Sequence, residues 1–272
     1  MHTLFWSAPE VGGFGWSEAA VDRLHAGLAL FWLVAAAVIA WRPVRPLVAC
    51  VLGLQVGIAG LMAWTGEGFR LAVPNMPTVE SWLAGAFPLF SQSCRFAAPL
   101  GLLALTRAGG EPSDSRVQRG AIEFLRWAAI ATFAAHGVEA LQHYPKFIDM
   151  LISATRLLSG ATMSQGVAEG LLTVIGAADV LVAVVVAAKR SQRGAGYMAV
   201  WGLITAASRV VVYGVFLGGW GFLTRAPHAI VPVVLWVLWR SELTTGQSSA
   251  EEIPTGDHAK SPKQNAMAAP HA

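Results

Sequence analysis

His136, Glu139 and His143 read H-x-x-E-x-x-x-H inside an otherwise apolar segment. At about 100° per residue the three side chains share one helix face, with about 10 Å between the two imidazoles along the axis. A neutral imidazole can ligate a metal, and a carboxylate beside it can complete the shell or orient the ring. The same groups can also carry protons. The spacing is neither the H-E-x-x-H of zinc proteases nor the E-x-x-H of di-iron bundles. Tyr144 and Pro145 follow His143, so His143 also fits a membrane boundary, where a histidine needs no special role. His25 and His228 open two further apolar segments. The five residues His136, Glu139, His143, His228 and His25 are thus candidates for binding a cofactor or carrying protons, with His136, Glu139 and His228 as a candidate metal set. A transition metal, a haem or a quinone headgroup would each suit them; the plain alternative is that histidine tolerates the interface.

A second group consists of charges inside apolar segments, which are costly there and need a partner or a task. Asp179 and Arg209 each fall about halfway along a segment. As antiparallel neighbours they would reach equal depth and neutralise each other. Thr205, Arg209 and Tyr213 recur every four residues, forming one polar stripe with Ser208 beside it. Arg95 has no local partner in sequence and could meet Glu139, Asp179 or an anionic ligand.

The elements that carry these residues are dictated by composition. Of 272 residues, 55% are apolar and 13% charged, against about 25% charged in a soluble domain. A bilayer core needs about 20 apolar residues per helical span, and seven segments qualify, near 22–41, 46–64, 82–106, 121–143, 168–188, 197–217 and 221–239. The expected fold is therefore an all-α, polytopic membrane bundle of about seven helices. Twelve Lys and Arg residues fall on one set of alternate connections: Arg42, Arg45; Arg107, Arg116, Arg119, Arg126; Lys189, Arg190, Arg193; Arg240, Lys260, Lys263. Five fall on the other: Arg23, Arg70, Lys146, Arg156 and Arg225. Positive residues stay in the cytoplasm, which puts the N-terminus outside, the C-terminus inside, and every histidine of the spans in the outer half. The expected organisation is an external segment 1–21, three N-terminal spans over 22–106, a cytoplasmic loop 107–120, a four-helix unit 121–240 and a disordered cytoplasmic tail 241–272. Within the four-helix unit, 145–163 is too short and too charged to cross, and reads as an interfacial helix or a partly re-entrant segment on the outer face. The first 20 residues lack the basic region and cleavage site of a signal peptide.

Other classes are disfavoured. The net charge of +3 is spread between apolar blocks rather than gathered on one segment, so nucleic acid is not an expected partner. No phosphate loop, dinucleotide fingerprint or nucleophile elbow occurs, and no lysine sits mid-way along the last span as a retinal linkage would need. Cys50 and Cys94 lie in different apolar segments and read as packing residues.

From Arg126 to Trp239 the sequence resembles the DoxX-like group of bacterial membrane proteins. The resemblance rests on His136-Gly137-x-x-Ala140-Leu141 leading to Pro145, on Ile175-Gly176-Ala177-Ala178-Asp179, on Thr205-Ala206-Ala207-Ser208-Arg209, and on Arg225-Ala226-Pro227-His228 before the last span. It implies a four-helix membrane core, a bacterial inner-membrane location and, from some members, thiosulfate or thiol oxidation linked to the quinone pool. This chain departs from the short members by its three N-terminal spans and by having no cysteine pair. The leading expectation is an outward-facing polar site in a quinone- or metal-linked redox protein, or in a membrane subunit of one, with the bilayer, quinone and a redox subunit as partners. The alternative is a transporter or scaffold whose midplane charges line a solute path or form a structural ion pair.

Overall fold

The computed structural model describes residues 5, 13–65, 86–105 and 115–251. Among these residues all regular structure is helical: α1 (Glu18–Trp41), α2 (Arg45–Thr65), α3 (Ser93–Leu105), α4 (Ser115–Leu141), α5 (Pro145–Ser159), α6 (Gln165–Ala188), α7 (Gln192–Arg225) and α8 (Pro227–Glu251). A short helical stretch over 86–91 leads into α3. Most of the external segment, the expected start of the third span at 82–85, the loop residues 107–114 and the tail from 252 lie outside the described residues. Helix α8 itself continues through Glu251, past Arg240, where the sequence places the end of the last span.

Among the described residues four stretches are long and apolar enough to cross a membrane: Glu18–Trp41, Gln165–Ala188, Gln192–Val215 and Gly218–Arg240. The sequence expectation of seven counted three more. Of these, Arg45–Leu61 and Ser93–Leu105 are apolar but shorter, and α4 has the length but carries Arg116, Arg119, Glu123, Arg126 and Glu139. Outward faces of the apolar helices expose large side chains such as Val174 (69%), Leu181 and Val200, as expected of surfaces turned toward lipid.

Chain ends and turns are set locally. Ser17 accepts a hydrogen bond from the Ala20 amide at 3.3 Å, and Glu18 stands in the first turn of α1, satisfying a free donor and the helix dipole. At the far end of α6, Arg126 donates to the carbonyls of Val186 (2.9 Å) and Ala187 (2.6 Å), which lack helical partners. The same end is tied by Glu123 to Arg126 and Arg190, both at 2.8 Å.

The core joins α3, α4, α6, α7 and α8. Cys94 and Ala97, Ala129 and Phe133, Ala183 and Val186, Met198, and Leu235 and Trp239 form one buried cluster. Small residues let helices approach closely, as is usual in membranes. Helices α4 and α6 are the most extensively packed pair and meet backbone to backbone: a Cβ on Gly176 would lie 2.6 Å from the Gly137 carbonyl oxygen. Helix α7 is broken at Gly214, whose φ of 75° and ψ of 170° suit a residue without a side chain. The chain doubles back there, so that Gly202 of the first arm faces the His228 carbonyl, where a Cβ would come within 2.5 Å. This antiparallel hairpin corresponds to the two last segments read from the sequence.

Candidate functional site

A cavity of about 240 Å³ lies between α4, α5, α6, the first arm of α7 and the start of α8. One wall is apolar and comes largely from α5, whose Phe147, Met150, Leu151, Ala154 and Leu158 recur on one face, leaving Lys146, Asp149 and Arg156 on the other. That division is the amphipathic pattern of an interfacial helix. The other end is polar and is formed by His136, Asp179, Thr205, Ser208, Arg209, Arg225 and His228.

His136 and Glu139 are one turn apart on α4, and His136 Nδ1 lies 2.5 Å from Glu139 Oε2. His228, only 3% exposed, places its ring 5.3 Å from that of His136, centroid to centroid. The Nε2 atoms of both rings are buried without a hydrogen-bond partner. Arg209 contacts Tyr213, and Glu139 lies within its electrostatic reach, while its Nε is buried and unpartnered. Arg225 stands within electrostatic reach of Arg209, Arg95 and Glu139. Arg95 donates from Nη1 to Gln92 Oε1 at 3.2 Å, and its Nε too has no partner. Ser208 donates to the Thr205 carbonyl at 2.8 Å, and Thr205 to that of Gly202 at 3.1 Å. The Thr205 proton is therefore directed to the helix backbone, while Ser208 Oγ also reaches Met150 Sδ at 3.3 Å.

Two prolines add a feature to this end. Pro99 and Pro232 lie inside α3 and α8, four residues after Arg95 and His228. Proline has no N–H to return to the carbonyl four residues back, so two residues of the cluster sit on turns whose carbonyls lose their helical donor.

Several sequence expectations are corrected. Asp179 does not pair with Arg209. Its carboxylate accepts from Tyr197 Oη at 3.0 Å and from Trp201 Nε1 at 3.3 Å. The reason is register: α7 starts at Gln192 rather than 197, so counting equally from the turn puts Asp179 opposite Trp201, with Arg209 eight residues further along. His143 leaves the H-x-x-E-x-x-x-H face because α4 ends at Leu141. With φ of 51°, His143 is the left-handed residue of a helix cap in which the His143 amide donates to the Ala140 carbonyl and the Tyr144 amide to that of Glu139. Its Nε2 meets Thr173 Oγ1 at 2.9 Å. His228 stands in the first turn of α8, with the apolar stretch Gly218–Arg240 running on both sides of it. His25 is on α1 and does not line the cavity. Tyr213 is half-exposed and reaches the site through Arg209. Among the described residues no three His, Cys, Asp or Glu side chains converge as a metal-binding group; Glu139 is bonded to His136 Nδ1, which leaves one nitrogen of that ring, Nε2, without a partner.

The structure brings together His136, Glu139, His228 and Arg209, with Arg95 behind them and Thr205 beside them. It adds Arg225, Tyr197 and Trp201, which the sequence reading passed over. Arg225 was counted with an outer loop, although it follows an apolar run; Tyr197 and Trp201 stand four apart on the face that meets Asp179, a spacing visible in the sequence once the partner is known.

No protein-family model matches the chain, and neither a curated protein nor a solved structure does.

Proposed function

We propose that the chain is a polytopic protein of the bacterial inner membrane that takes a quinone headgroup into this cavity, as a redox protein or as the membrane subunit of one. The observation that carries the reading is the pair of neighbouring imidazole rings, 5.3 Å apart and each with a buried, unpartnered Nε2, at the polar end of an otherwise apolar cavity. A buried polar atom without a partner is costly, and two such atoms side by side suit the oxygens of a planar, lipid-soluble head. His136, backed by Glu139, would pass a proton to or from one oxygen and His228 would hold the ring; electrons would come from a partner subunit. The apolar face of α5 would cover the tail. Of the three ligand classes considered from sequence, quinone needs no third metal ligand and fits a mostly apolar wall.

The topology belongs to the same proposal: seven crossings, the N-terminus outside and the C-terminus in the cytoplasm. In support, Arg126, Lys189, Arg190 and Arg193 gather at one end of the bundle, around the α6–α7 turn, and α5 lies at the other. Kinship with DoxX-like proteins is likewise part of the reading, since its His136, Asp179, Arg209 and His228 positions all line the cavity.

The test is quenching of tryptophan fluorescence by a decyl-substituted benzoquinone added to detergent-purified protein, since Trp201 lines the cavity. Saturable binding near one per chain is expected, weakened about tenfold or more in His228→Ala, as loss of a buried hydrogen bond predicts. Gel filtration of the variant checks its fold. Absence of saturable quenching in the wild type would overturn the proposal.

A further inference from the structure

The polar end of the cavity, together with Arg95 and Glu139 behind it, carries more positive than negative charge. Arg95, Arg209 and Arg225 stand within electrostatic reach of one another. Against three guanidinium groups the site has two carboxylates. Glu139 is engaged by His136 and makes no ion pair with any of the three arginines among the described residues. Asp179 is bonded to Tyr197 and Trp201. Even with both carboxylates ionised, one positive charge is uncompensated, and the histidines can only add to it. Buried charges in a membrane are normally paired. Nothing among the described groups supplies the missing anion, while Arg209 and Arg225 both line the cavity and Arg209 keeps an unpartnered Nε facing the buried interior.

We infer that the head bound here is an anion. Resting on the quinone reading, this narrows the ligand class to acidic quinones, whose ring hydroxyl is ionised at neutral pH. Its oxyanion would sit against Arg209 and Arg225, whose planar donor forks match a delocalised oxyanion better than a point charge would. The ring oxygens would face His136 and His228, and the alkyl substituent would run along Met150, Leu151 and Ala154.

The experiment compares two probes of equal size on the purified, full-length protein: 2-hydroxy-3-nonyl-1,4-naphthoquinone, ionised at neutral pH, and 2-methyl-3-nonyl-1,4-naphthoquinone, which is neutral. A third probe, dodecyl phosphate, carries the anion without the quinone ring. The hydroxy compound is expected to bind at least about tenfold more tightly than the methyl compound, the scale of one hydrogen bond to a charged group. In Arg209→Gln and Arg225→Gln that preference should fall toward parity, while Arg209→Lys keeps part of it. Should either glutamine variant fail to accumulate, the comparison on the wild type still decides. Equal binding of both quinones overturns the anionic assignment and leaves the quinone reading standing. Binding of dodecyl phosphate alone, with neither quinone bound, overturns the quinone reading and with it the acidic-quinone assignment. No binding of any probe overturns both.

Discussion

The contact between α4 and α6 carries the site, because His136 and Glu139 flank Gly137 on one helix while Asp179 stands one turn beyond Gly176 on the other. An ideal Cβ on Gly176 would fall 2.6 Å from the Gly137 carbonyl oxygen, 2.8 Å from the Leu141 amide nitrogen and 2.9 Å from Leu141 Cγ. Ordinary contact begins near 3.4 Å. Gly176→Ala must therefore push the helices apart by about 0.8 Å, because two of the three opposing atoms are backbone and cannot rotate away. A gap of that size forfeits about a quarter to a half of each dispersion contact along the seam, and overpacking of this kind costs about 1–3 kcal/mol. For a chain of this length the loss corresponds to a fall in Tm of about 3–10 °C. The assay is thermal unfolding in mild detergent, with Gly170→Ala as the control, since Gly170 lies on the same helix with nothing within 4 Å of its Cβ position. The control should leave Tm unchanged or raise it, alanine being the better helix former. Equal Tm values for Gly176→Ala and wild type, or equal losses in the two variants, would refute the close α4–α6 approach and the site geometry that depends on it.

Three further outcomes follow from the corrected contacts. Tyr197→Phe removes one donor to the Asp179 carboxylate and should cost about 1–3 kcal/mol in equilibrium unfolding, whereas Asp179→Asn combined with Arg209→Gln should be additive within about 0.5 kcal/mol because the two residues do not pair; a coupling energy well above that would restore the ion pair. His143→Gly relieves a left-handed backbone position that glycine adopts freely at the loss of one exposed contact to Thr173, so stability should change by less than about 1 kcal/mol and decylquinone binding should stay within twofold; a tenfold loss of binding would return His143 to the site.

How much of this was legible beforehand differs from residue to residue. The His136–Glu139 pair is a local fact, since residues three apart on a helix must face the same way, and the sequence identified it. The amphipathic character of 145–159 was equally local: apolar residues at helical spacing, with Pro145 to start the helix and Gly160 to end it. The pairing of Asp179 was not legible, because depth in a bundle depends on where each helix begins, and a five-residue error at the start of α7 moves the position opposite Asp179 from 201 to 206, within one turn of Arg209. His143 failed for a related reason. Composition does not mark the residue at which a helix ends, although Pro145 two residues later is a signal of it.

Sequence by itself determined that the chain is helical and apolar enough to meet a membrane, and which ionisable residues are out of place there, because composition and 3.6-residue periodicity act within single segments. Only the tertiary structure decided that His228 and Arg225 lie beside His136. That depends on a reversal at Gly214 and on the close approach of Gly202 to the His228 carbonyl, contacts between segments that no single segment encodes. The physical reason is one of range: propensity, capping and amphipathicity are fixed by neighbours three or four residues away, whereas the surplus of positive charge around the cavity arises from arginines on α3 and on both arms of α7 and exists only once those elements are packed together.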